Sequence, residues 1–199
     1  MKLLLLLTFS VISADEIRTK SSMAAYAINS ILDNHLAINS WKVDLISYGD
    51  KSEKLVRKVL TTKSDSVVVE VHRGGVENPW KNQLNTSSIL VFESVKSFEQ
   101  VQNNITWQTH NATRHRHLVF VPHSKKTDLE KIQDGFSIDK VSFLMQQNEK
   151  SIELVTNFMY TEEKCRSSQF KRINRIKKIN SSWGWETTEF YPNKYQNFH

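Results

Sequence analysis

Ile89-Leu90-Val91-Phe92 and Leu118-Val119-Phe120-Val121 are unbroken apolar runs, the second stopped by Pro122. Strands of this kind carry no polar alternation, so neither face can be turned to water. Val67-Val68-Val69, within Ser66 to Val71, is a third continuous run and predicts another interior strand, too apolar for a half-exposed edge. Trp41 to Tyr48 alternates at Val43, Leu45 and Ser47, a weaker strand pattern, and Gly49-Asp50 closes it as a turn.

Helical spacing fills the gaps. Ser21 to Ile38 places Ala24, Ala27, Ile28, Ile31 and His35 on one face, with Leu32 and Leu36 beside it. Ser52 to Thr62 repeats the period through Leu55, Val56, Val59 and Leu60, and Val95 towards Ile105 through Phe98 and Val101. Thr127 and Glu130 have capping-box spacing for a short helix through Leu129 and Ile132, with Gly135 just beyond it. Val141 to Met145 and Ile152 to Met159 predict two further strands joined as a hairpin over Gln146 to Lys150. Strand alternating with helix, around continuous apolar strands, predicts an α/β fold: a mostly parallel sheet with helices on both faces. It occupies 15–160, and 161–199 forms a C-terminal linker segment.

The composition sets the class. With 39% hydrophobic and 24% charged residues the 199-residue chain can bury a real core. Net charge is +6, basic without being extreme. Five Gly and three Pro leave no Gly-rich phosphate cradle, and neither GxxxxGK[ST] nor GxGxxG occurs. Lys2, the apolar run Leu3 to Ile12 and the small residues Ser13-Ala14 predict a signal peptide over 1–14, too short to span a bilayer. Asn85, Asn104, Asn111 and Asn180 each head an N-x-[ST] triplet, which behind a signal peptide predicts surface glycosylation. Cys165 is the single cysteine. In a secreted chain that leaves three readings: an intermolecular bond, a free thiol, or a partner outside this sequence.

Cys165 also begins a pattern: Asn174 in a basic stretch, then Trp183 or Trp185, then Tyr191-Pro192-Asn193-Lys194-Tyr195-Gln196-Asn197 ahead of Phe198-His199. This resembles the region just before the ligand-binding domain of divergent insect ionotropic receptors, the chemosensory relatives of ionotropic glutamate receptors. The resemblance implies continuation into Gly-Cys and a ligand-binding domain beyond His199. It also implies that Cys165 pairs with that cysteine, a bridge contributing ~3 kcal/mol by chain entropy. The α/β part then resembles one lobe of a periplasmic-binding-protein-like domain, the fold of glutamate-receptor N-terminal domains.

Catalytic and metal patterns are weak. His115-x-His117, with His110 and His123, invites zinc, but Arg114 and Arg116 repel a cation, so these read as solvated loop residues. His72 and His35 read as lone cases. No G-x-S-x-G occurs, and the adjacent Glu162-Glu163 cannot face each other across a substrate. No metal, cofactor or catalytic residue is expected. Phe170, Ile173 and Ile176, with Arg172, Arg175 and Lys178 beside them, predict an amphipathic helical segment with its charges in water. The resemblance implies the extracellular part of a chemosensory ligand-gated cation channel, on the outer side of the plasma membrane. Its role there would be folding and assembly with other receptor subunits or a co-receptor, without nucleic acid, and with membrane contact only through the part beyond His199. The alternatives are a freestanding secreted binding protein, a motif-poor secreted hydrolase, or a polyanion-binding factor.

Overall fold

Lys42–Tyr48 (β1) is the strand on which the others are laid, and the computed structural model buries six of its seven residues. The described residues are 22–38, 40–63, 67–74, 87–102, 116–130, 141–148, 150–161, 164–179, 182–188 and 190. The expected signal peptide over 1–14 and the expected glycosylation sites Asn85, Asn104, Asn111 and Asn180 lie outside them, as does the aromatic string after residue 190.

Met23–Ile31 (α1) starts on Ser22, whose Oγ accepts the Ala25 N–H at 3.3 Å, and runs on through a π-helical turn, Leu32–Leu36. Asp50–Thr62 (α2) returns from β1 along the same face and is fastened to α1 through Asn29. The Asn29 amide donates to Val59 O at 3.1 Å and to Thr62 Oγ1 at 2.7 Å. Val68–Arg73 (β2), Ser87–Phe92 (β3), Val95–Gln102 (α3), His117–Pro122 (β4) and Lys126–Glu130 (α4) follow. Val141–Asn148 (β5), Ser151–Thr161 (β6), Lys164–Ile179 (β7) and Ser182–Trp185 (β8) complete one sheet, in the order β2-β1-β3-β4-β5-β6-β7-β8. Pairings from β2 to β5 are parallel and those from β5 to β8 antiparallel. The α/β class and the mostly parallel sheet covered on both faces are therefore observed.

Each central strand feeds two cores. Val43, Leu45, Ile89, Val91, Leu118, Phe120 and Leu144 pack under α1 and α2. Ile46, Leu90, Val119, Phe143 and Met145 pack on the opposite face with Phe98 and Val101 of α3 and Leu129 of α4. There an aromatic chain crosses the sheet, Phe92 to Phe98 at 5.0 Å, Phe98 to Phe143 at 6.2 Å and Phe143 to Phe170 at 5.6 Å, each edge-on.

Three expectations are corrected first. Among the described residues β2 is an edge strand, bonded only to β1, with Val68 58% and Val71 46% exposed. Its valines mark strand propensity rather than two-sided burial. β1 does not alternate, because both of its faces are covered. Thr127 lies inside α4 rather than capping it; the Asp128 carboxylate accepts the Lys125 N–H at 2.7 Å instead.

The largest difference concerns the basic run, which is the strand β7 and not a helix. The sheet runs on through residues assigned above to a linker. The β6–β7 register shifts between Leu154 and Val155, so a bulge inserts one residue around Ile173. Two plus one gives a spacing of three, which mimics a helical period. It turns Phe170 and Ile176 to opposite cores and brings both Arg172 (3.4 Å) and Arg175 (2.7 Å) to the Glu153 carboxylate. Asn174 is buried and clamps the next segment, donating to Thr187 O and accepting from Thr187 N–H. Trp185 Nε1 donates to Ser30 Oγ of α1 at 2.9 Å, and its ring meets Phe190 edge-on, which in turn lies 4.2 Å from the His35 ring. Trp183 and Trp185 thus pack on this lobe.

Two outcomes follow. Phe143→Ala should cost about 3–5 kcal/mol in urea unfolding, whereas Val68→Ala should cost under about 1 kcal/mol. Burial first, and Arg116 second, hold the His35 imidazole below its ordinary 6.5. The unfolded chain therefore takes up the proton more readily than the folded one. Stability from this group is complete above pH 6.5 and is lost as pH falls below it, a slope that His35→Gln should flatten in pH-dependent melting curves.

Candidate functional site

The parallel strands all end on one side of the sheet, and chain order reverses between β1 and β3, since β1 leads outward to β2 before β3 returns inward. In open α/β sheets ligands bind in the crevice outside the strand ends at such a reversal. A crevice of ≈ 450 Å³ lies here. Its floor is apolar, from Phe92, Phe120, Leu55 and Met23. Its polar rim comes from the strand ends and the following turns: Lys51 after β1, Glu93 after β3, His123 after β4 and Gln146 near the end of β5. Ser22 at the start of α1 and Trp183 of β8 close the side.

The frame around β1 and β3 is tightly specified. Gly49 has φ 101 and ψ 161, a region open in practice to glycine alone. A Cβ at Gly49 would also collide with the Glu93 carboxyl group, which leans over it. Glu93 Oε2 accepts the Lys51 N–H at 3.4 Å and so caps the amino end of α2, where a negative charge is favoured. The Glu93 N–H in turn donates to Tyr48 O at 3.2 Å, extending the β1–β3 ladder by one bond. Tyr48 stacks on Phe92 with centroids 4.4 Å apart, and burial pushes its phenol up to about 12. It is neutral at any physiological pH. His123 takes φ 54 directly after Pro122, which turns the chain sharply out of β4 at the crevice mouth.

Both crevice hydroxyls are committed to helix starts, Ser22 to Ala25 N–H and Ser52 to Gly49 O. An apolar floor with a few convergent polar groups suits a small molecule carrying one or two polar ends.

The histidines do not behave as one loop. His117 is buried in β4, its Nδ1 2.8 Å from Ser88 Oγ, while His123 is exposed at the crevice mouth. His72 sits in β2 beside Asp44 and Glu70. His110 and His115 lie outside the described residues. Cys165 is in β7, paired with Tyr160 of β6. Lys51, Glu93, Gln146 and Trp183 carry no motif. Their only common signal is position, three of them at or just past the carboxyl end of a strand.

A family model described as "Putative ionotropic receptor, ligand binding domain" matches residues 20–197, which takes in α1, the whole sheet and the aromatic string. No curated protein and no solved structure matches the chain. No helix among the described residues is long and apolar enough to cross a membrane.

Gly49→Ala should lower stability by about 1–3 kcal/mol, since it combines a disfavoured backbone with displacement of the Glu93 cap. Adding Glu93→Ala removes the collision but not the backbone strain. The double variant should therefore melt no lower than the sum of the two single effects, and any positive coupling measures the clash.

Proposed function

The chain belongs to the ionotropic receptor ligand-binding-domain family, and we propose that it is the extracellular, ligand-facing lobe of a chemosensory ligand-gated cation channel. The observation that carries this reading is the ≈ 450 Å³ crevice at the carboxyl ends of the parallel strands. It is an apolar hollow rimmed by Lys51, Glu93, His123 and Gln146, on the side of the sheet that α/β folds use for ligands. The resemblance in the aromatic string implies a ligand-binding domain beyond His199; the family description attaches that role to residues 20–197. We therefore assign the ligand to the crevice of this lobe.

The same lobe would support folding and contact with other receptor subunits. Cleavage of residues 1–14, and glycosylation at Asn85, Asn104, Asn111 and Asn180, fit that secretory route. The reading is of a binding surface without turnover, since the crevice hydroxyls are occupied in capping helices.

The test is made in the whole receptor expressed in oocytes, with surface protein and current measured together against a panel of short-chain carboxylic acids and amines. Gln146→Ala removes a rim contact and should raise the half-maximal concentration of an active compound about tenfold, the cost of one lost hydrogen bond. Leu55→Trp fills the floor and should abolish the response, with surface protein unchanged. Currents unaltered by both variants would refute the crevice as the ligand site. Loss of surface protein alone would favour an assembly role.

A further inference from the structure

Away from the crevice, the β1–β2 edge carries a compact group of ionisable side chains. The two strands pair in parallel with Lys42 opposite Val68, Asp44 opposite Glu70 and Ile46 opposite His72. Residues two apart share a face, and directly paired residues in a sheet point the same way. Lys42, Asp44, Glu70 and His72 therefore all rise from one face, the one opposite α1 and α2, since Val43 and Leu45 fill the core beneath those helices.

Their polar atoms converge. His72 Nε2 lies 3.7 Å from Asp44 Oδ1 and 3.5 Å from Glu70 Oε1, and one ligand atom from each residue falls within 4.8 Å of the others. Lys42 Nζ reaches Asp44 Oδ1 at 3.5 Å and bonds directly to Glu70 Oε2. Asp44 is 3% exposed, so its carboxylate is held by the sheet. A buried carboxylate requires a cation beside it, and the fold supplies one from a flexible lysine.

We propose that Asp44, Glu70 and His72 form a binding site for a zinc-class divalent cation, with Lys42 as the counter-ion that fills it when no metal is bound. Tetrahedral zinc with nitrogen and oxygen ligands at about 2.0–2.2 Å holds neighbouring ligand atoms roughly 3.3–3.6 Å apart. The His72–Glu70 and His72–Asp44 separations are already close to that edge length. Two carboxylates and an imidazole suit zinc better than calcium or magnesium, which take oxygen ligands in larger number. Three protein ligands leave a fourth position for water.

Lys42 does not close the site. Its side chain is 24% exposed at the start of β1, so the ammonium can swing into solvent while the divalent ion takes over neutralisation of the two carboxylates. The consequence falls on β2, an edge strand bonded to β1 alone among the described residues. A metal bridging Asp44 on one strand and Glu70 and His72 on the other would fasten that edge to the sheet.

The test is calorimetric titration of the purified chain with zinc chloride, alongside magnesium and calcium chlorides, with circular dichroism confirming the fold of each variant. One zinc per chain should bind, in preference to magnesium and calcium. Glu70→Gln, at an exposed position where misfolding is not at issue, and His72→Gln should each weaken binding at least tenfold. Lys42→Gln, which removes the competing ammonium, should strengthen it severalfold. Cobalt bound in place of zinc should show the visible absorption of tetrahedral coordination, lost in His72→Gln. Absence of zinc binding in both the wild type and Lys42→Gln would overturn the proposal. So would zinc binding that Glu70→Gln and His72→Gln both leave unchanged, which would place the ion on other histidines or on Cys165. Either outcome leaves the crevice assignment as it stands, because the two sites share no residue.

Discussion

The removal of β1, β3, β4 and β5 from water on both faces is the constraint on which the rest of this structure depends. Apolar side chains on both sides of a strand require a cover on both sides, and each large one contributes roughly 1.5–3 kcal/mol when fully buried. Helices α1 and α2 supply one cover, α3 and α4 the other. Parallel strands joined by such crossovers must all end on the same side of the sheet. The crevice is therefore a consequence of two-sided burial, formed where the chain departs from β1 in one direction and from β3 in the other.

The antiparallel half makes a different contribution. β6 and β7 form a long hairpin whose bulge sends Phe170 to one core and Ile176 to the other. The aromatic chain from Phe92 to Phe170 then joins the last parallel strands to the hairpin by edge-on ring contacts. Asn174, with both ends of its amide bonded to Thr187, turns the chain after β8 back towards α1. This return places Trp185 against Ser30, Phe190 against His35, and Trp183 at the crevice wall. Early and late parts of the chain meet there, so the site is assembled only when the whole sheet has formed.

Within the crevice, rigidity and polarity are divided. Gly49, Glu93 and the Tyr48–Phe92 stack fix the backbone at the reversal point, with the amino end of α2 already satisfied by a carboxylate from the same chain. The polar groups on the rim come from separate strand ends. A ligand would thus read the relative position of several strands at once.

Much of the architecture was legible in the residues themselves. Continuous runs such as Ile89 to Phe92 can satisfy hydrophobic burial only inside a covered sheet, and the alternation of strand and helical periods implies its parallel order. Local patterning misled at β2 and β7. Val67-Val68-Val69 states a preference for extended backbone but not how many neighbours the strand will have, and a single bulge gave β7 the spacing of a helix. The polar site was not written in any motif. Glu93, His123 and Gln146 are ordinary residues at the ends of strands, and Asp44, Glu70 and His72 are meaningful only once two parallel strands are set in register. Sequence fixes periodicity and hydrophobicity because these are properties of neighbouring residues. Convergence of side chains separated by tens of residues is a property of the sheet's order and twist, and only the folded chain decides it.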